Sequence, residues 1–233
     1  MKRLIAIFSV LTAVLGASAQ AELGTWSVVP HIGASVSTLT PDGIFIGGSS
    51  SDNPMSSKYA SGFSGGADVV YQMTVGSALS AGVAYSRLGC GYEDAMVMTD
   101  ANKGTVFHDT YISLDYIEIP IMENIYLAKG FAIKAGVLPR FLIGAKMHSE
   151  NQDFTIDTDT GARTYGQNDA WETTGTHSLR KFDIAIPLGI SYEYQHVVLD
   201  ARYNVGLTKI YKYGFGSSKN RSFLFTLGYK FDL

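Results

Sequence analysis

From Phe223 to Leu233 nearly every second residue is apolar: Phe223, Phe225, Leu227, Tyr229, Phe231 and Leu233 alternate with Leu224, Thr226, Gly228, Lys230 and Asp232, where only Leu224 departs from a polar or small residue. Successive side chains of an extended chain point to opposite sides, so this stretch reads as a strand with one oily face and one polar face. The same period of two recurs over residues 26–38, 59–73, 77–89, 109–127, 131–147, 182–194 and 197–208. Beyond the first residues no apolar run is long enough for a transmembrane helix. A chain built of such strands must pair its last strand with its first or leave an open edge, and an even count permits closure. The expected fold is therefore an all-β, eight-stranded, antiparallel up-and-down barrel.

The connections support that order. Short turns follow the second (74–76), fourth (128–130) and sixth (195–196) segments, whereas longer stretches follow the first (39–58), third (90–108), fifth (148–177) and seventh (213–219). Tight turns at one end and long loops at the other are the layout of an outer-membrane barrel with both termini on the periplasmic side. The turn at Gln195-His196 pairs Tyr194 with Val197 and keeps both oily faces in phase. The fourth segment is irregular: Ile112, Leu114 and Tyr116 lie in one phase, Ile117, Ile119 and Ile121 in the other, which predicts a bulge near Asp115–Tyr116.

Alternation alone does not distinguish a membrane barrel from a soluble one, since the two are turned inside out. The polar face decides. It is rich in small residues (Gly33, Ser35, Gly66, Gly82, Gly136, Gly144, Gly189, Gly206 and Gly228) rather than the Thr, Lys and Glu of a hydrated sheet. Small residues suit the narrow interior of an eight-stranded ring. The same face carries Asp68, Glu118, Asp183, Glu193 and Asp200 against Lys134, Arg140, Arg202 and Lys230. Charges of both signs in a closed lumen predict interior ion pairs, and a hairpin centred near 128–129 sets Glu118 opposite Arg140. On the oily face Trp26, Tyr71, Tyr126, Tyr194 and Tyr229 fall near the short turns, where an interfacial girdle belongs. A lumen filled in this way argues against a wide pore.

The beginning of the chain reads as a secretion signal over residues 1–19: Lys2 and Arg3, an apolar stretch from Leu4 to Gly16, then Ala17-Ser18-Ala19, with cleavage after Ala19 or Ala21 and the barrel occupying 22–233. A single cysteine, Cys90, excludes an internal disulfide. A net charge of −3 argues against nucleic acid as a partner.

Tyr116-Ile117-Glu118-Ile119-Pro120-Ile121, with Gly130-Phe131 and Ala135-Gly136 after it, resembles the PorT-like family of small outer-membrane barrels. The closing run, through Thr226, Gly228, Phe231 and Leu233, resembles the outer-membrane assembly signal. These resemblances imply residence among outer-membrane lipids and insertion by the barrel assembly machinery. They imply no single activity, because that family includes secretion-associated members.

Among possible reactive groups, His148-Ser149-Glu150 has residue types used by lipid-modifying barrels, but neighbours on a strand face opposite ways, so a hydrated loop start is the expected reading. Asp157-Thr158-Asp159-Thr160-Gly161 is only a fragment of a calcium loop, lacking the distal Glu. His31 is expected as a hydrogen-bonded lumen residue. No catalytic, cofactor or metal site is expected. Gly47-Gly48-Ser49-Ser50-Ser51 has linker composition. The long acidic loop 148–177, with Tyr165 and Trp171, is the best place for a protein partner. The leading expectation is a structural or interaction scaffold displaying loops outside the cell. An accessory role in protein secretion or envelope assembly is the first alternative. A lipid A-modifying enzyme and a soluble periplasmic ligand-binding barrel follow.

Overall fold

The computed structural model describes residues 23–40, 44–45, 54–212 and 217–233. The signal segment and the Gly47–Ser51 linker lie outside the described residues. The barrel strands are β1 (Trp26–Thr40), β2 (Ala60–Thr74), β3 (Ser77–Tyr92), β4 (Lys103–Glu118, resuming at Ile121–Ala128), β5 (Phe131–Ile156), β6 (Phe182–Tyr194), β7 (Val197–Gly206) and β8 (Lys219–Tyr229, continued by Phe231–Asp232). Each pairs antiparallel with the next, and β8 returns to β1 with Phe225 opposite Ala34, so the ring is closed. Tyr194 does pair with Val197. Gln195 and His196 take φ of 47° and 69°, the left-handed pair a two-residue hairpin turn requires, here without a glycine.

Through the middle of the ring the oily residues point outward. Ile32, Val83, Leu199 and Phe225 are each more than half exposed, while Ser64, Asp183 and Arg140 beside them in the wall are buried inside. A water-soluble barrel would be turned the other way. The outward apolar run from Phe223 to Phe231 matches the roughly 9–11 residues that a tilted transmembrane strand needs. The protein is a transmembrane β-barrel.

Two expectations require correction. β4 carries no bulge at Asp115–Tyr116: Ile112, Leu114, Tyr116 and Glu118 all face inward in unbroken alternation, and the irregularity lies across the ladder on β5, between Leu142 and Gly144. What changes near Tyr116 is the environment. Below it the inward face is polar; above it Leu39, Leu88, Cys90, Tyr92, Ile112, Leu114, Leu142, Leu179 and Ile210 gather inside as an apolar core. Once a strand leaves the bilayer its outer face meets water, and the oily residues move to the inner face. The sequence pattern inverts there although the strand does not.

The stretches 90–108 and 148–177 are also not irregular loops. β5 runs 26 residues. Beyond Phe141 it leaves β6 and pairs with a strand at Arg163–Thr174, while the upper part of β4 pairs with another at Ala95–Asp100. The result is a four-stranded sheet standing on one side of the mouth. At about 3.3 Å per residue, β5 projects on the order of 50 Å along its own direction past Phe141.

Candidate functional site

The lumen is filled in tiers. Nearest the short turns, Lys230 Nζ lies 3.1 and 3.2 Å from the two carboxylate oxygens of Glu193. Above it Lys134 Nζ donates to Asp200 at 2.7 Å, Arg202 Nε donates to the other oxygen of Asp200, and Arg202 Nη2 reaches Asp68 at 3.3 Å. His31 Nδ1 stands 3.9 Å from the same Asp68 and 3.3 Å from the carbonyl of Val29. In the top tier Arg140, fully buried, donates through Nη2 to Asp183 at 2.5 Å and lies over the Tyr116 ring at 5.5 Å. Asn220 donates to the Tyr116 hydroxyl at 3.1 Å. Of the nine charges assigned to the interior from the sequence, Asp68, Glu118, Lys134, Arg140, Asp183, Asp200, Arg202 and Lys230 are buried in the ring, and Glu193 is half-buried at its base beside Lys230.

The pairing of Arg140 differs in detail from the expectation. Both Glu118 and Asp183 sit directly across from it in the two neighbouring strands. Asp183 takes the hydrogen bond. Glu118 Oε1 remains 3.9 Å from Nη1, because its other oxygen is held by the Ser86 hydroxyl at 2.8 Å from β3. Between the lower and middle tiers a cavity of about 50 Å³, lined among others by Lys134, Asp200 and Glu193, gives room for a few waters at roughly 10–15 Å³ each and none for a solute. Above the Arg140 tier the described residues add the apolar core, so buried side chains fill the ring at both levels.

Outside, aromatics mark both edges of the oily belt. Near the turns Trp26 packs on Tyr71 at 4.7 Å and Tyr229 on Phe231 at 4.8 Å, with Tyr194 exposed beside them. Tyr126 does not join this girdle. It shares the inward phase of Met122 and Asn124 and lines the cavity, because it pairs across from inward-facing Ala132. At the upper edge Tyr203–Phe223 (4.6 Å), Phe141–Phe182 (5.4 Å) and Phe63–Tyr85 (6.3 Å) form a second ring. Just there the outward face turns charged, with Arg87 bonded to Asp115 at 2.8 Å and Arg221 to the Tyr203 hydroxyl at 3.3 Å. This upper girdle was readable in principle, as aromatics on the outward phase at the far strand ends. At the chain's end Phe231 and Leu233 face outward, Thr226 faces the lumen, and the Leu233 amide donates to the Trp26 carbonyl at 2.9 Å.

In the projecting sheet, Tyr165 and Trp171 lie on the strand Arg163–Thr174, which is exposed along its whole length and, among the described residues, pairs only on its β5 side. Ser149 turns inward and bonds Thr110 at 2.8 Å, whereas His148 and Glu150 face out, so the three side chains do not converge. At the hairpin tip Asp157 is committed to its own turn. Its Oδ1 accepts from the amides of Asp159 (3.0 Å) and Thr160 (2.8 Å) and from the Thr160 hydroxyl (2.8 Å). Those donors hold its carboxyl below the ordinary value. Glu150 is likewise held down, first by the Asn168 amide at 2.6 Å.

The family description of the outer membrane protein beta-barrel domain matches residues 18–212. The chain belongs to this family. As one of these outer-membrane barrel proteins it resides in the outer membrane, among its lipids. Solved barrels that resemble it include Ail, the attachment invasion locus protein of Yersinia pestis (14% identity, 90% of this chain and 100% of that one, TM-score 0.40). They also include Neisserial surface protein A (17%, 88% and 95%, TM-score 0.35) and OprG from Pseudomonas aeruginosa (11%, 92% and 99%, TM-score 0.35). Likeness at this level adds nothing to the closed ring already read from strand pairing and carries no function. No curated protein matches the chain.

Proposed function

We propose that this outer-membrane barrel is a non-conducting, non-enzymatic scaffold that holds its projecting sheet outside the cell for contact with proteins. One observation carries the reading. Among the described residues the strand Arg163–Thr174 has no partner strand on its outer edge, and Tyr165 and Trp171 are exposed on it. Such an edge accepts a partner strand through main-chain hydrogen bonds, and exposed aromatics add contact area. The buried ion-paired tiers and the apolar core that occupy the ring support the absence of conduction, and the separation of Ser149 from His148 and Glu150 supports the absence of acyl-transfer chemistry. The Tyr116–Ile121 run supports placement among PorT-like members, and the outward Phe231 and Leu233 support delivery to the barrel assembly machinery.

The test is electrical. In planar bilayers the purified barrel is expected to give no unitary current steps, while a variant in which the apolar core above Tyr116 and the Arg140 tier are both replaced by small residues opens. Regular steps from the unaltered protein would contradict the scaffold reading.

A further inference from the structure

We propose that the lateral face of the projecting sheet binds a zinc-class divalent transition-metal ion, with Asp109, His148 and Glu150 as its ligands. The proposal is independent of the scaffold reading. His148 Nε2 lies 3.7 Å from Asp109 Oδ2 and 3.7 Å from Glu150 Oε1, and one donor atom from each residue falls within 4.8 Å of the others. Neither 3.7 Å separation is a hydrogen bond, so two carboxylates flank one imidazole nitrogen at ion-pair distance. Around a tetrahedral zinc with ligands at 2.0–2.1 Å, donor atoms stand about 3.3 Å apart, so the two 3.7 Å separations would close slightly and the two carboxylates would draw together from within 4.8 Å.

Each ligand is placed by local structure. In the ladder Tyr111 pairs with His148 and His108 with Glu150, so β4 spends one residue more than β5 over this interval. The extra residue, Asp109, takes φ of 44° and brings its carboxylate beside the His148 ring. That ring stacks on Tyr111 at 5.1 Å, and its Nδ1 is buried without a hydrogen bond, leaving Nε2 as the nitrogen with polar company. Glu150 is oriented from behind: Asn168 holds its Oε2 at 2.6 Å, and His108 Nε2 faces that same oxygen at 3.3 Å, leaving Oε1 toward His148. One neutral imidazole and two carboxylates offer a dication charge balance. The nitrogen donor favours zinc, nickel or copper over calcium and magnesium, which take oxygen ligands. Asp109, two-thirds exposed, leaves the site an entry path.

The test uses the folded, full mature barrel in detergent, stripped with chelator and titrated with Zn²⁺ by calorimetry. One ion per chain is expected, unaffected by excess Ca²⁺. His148→Ala and Asp109→Asn should each weaken binding by at least about tenfold, in line with ligand-shell losses. His177→Ala should not. Co²⁺ should give visible absorption bands that vanish in Asp109→Asn, a variant at an exposed carboxylate that keeps the barrel readable should His148→Ala misfold. No saturable Zn²⁺ binding, or binding that survives Asp109→Asn, or equal loss in His177→Ala, would overturn the proposal.

Discussion

Arg140 gives the sharpest test of the lumen's energetics, because two carboxylates face it and only one is bonded. Asp183→Asn removes the hydrogen-bonded partner of a fully buried guanidinium. Breaking a buried ion pair from one side typically costs about 3–5 kcal/mol, since the remaining charge is left without compensation. Glu118→Gln is different. At about 4 Å in an effective dielectric near 20, its attraction to Arg140 is about 4 kcal/mol, but the removal of a second buried carboxylate regains several kcal/mol of desolvation. The two nearly cancel, and a Gln at 118 can still accept from Ser86, so its expected change is within about 1 kcal/mol. Arg140→Met, which strands both carboxylates, should cost at least as much as Asp183→Asn. Urea unfolding of barrels folded into lipid vesicles, followed by Trp26 and Trp171 fluorescence, measures all three. A Glu118→Gln loss equal to that of Asp183→Asn would refute the assignment of Asp183 as the principal partner. So would additivity of Asp183→Asn with Arg140→Met in a double-mutant cycle.

Gly136→Ala should destabilise the barrel by about 1–3 kcal/mol in the same assay, because an added Cβ meets the Ile121 carbonyl oxygen and the Met122 Cα, backbone that cannot step aside. Gly76→Ala, with open space around it, should change stability by less than about 0.5 kcal/mol, and equal effects would count against close strand approach at 136. For Asp157 the folded carboxyl is depressed, so the order it lends the hairpin tip is present above the unfolded carboxylate range and is lost as pH falls through the folded value. A carbon-detected titration should place its midpoint under the ordinary 3.8, and a midpoint at or above that figure would remove the turn bonds from the account.

The ring was legible because the membrane enforces a strict rule: outward residues between the two interfaces must be apolar, so period two survives in every strand. The lumen charges were legible for the complementary reason. Charged residues on the polar face of a narrow closed barrel must face one another, though which carboxylate wins Arg140 depends on the Ser86 hydroxyl from a third strand, which pairwise register does not show. What was hidden lies above the membrane. There Ile112, Leu114 and Tyr116 occupy the same inward phase as Glu118, and a change of solvent looked like a change of register. For the same reason the polar stretch from Arg163 to Thr174 read as a loop: a strand exposed on every residue has no oily face to announce it. The meeting of Asp109 with His148 rests on one extra residue in β4, invisible without the partner strand.

The central claim is the inversion of the wall between belt and projecting sheet, and spin labels at single cysteines in a Cys90→Ala background test it most directly. In lipid vesicles, labels at 186, 199 and 225 should collide with oxygen and be shielded from a water-soluble nickel complex. Labels at 113 and 146, on the outward face above the belt, should show the reverse. Nickel access at 186, 199 and 225 equal to that at 113 and 146 would contradict it.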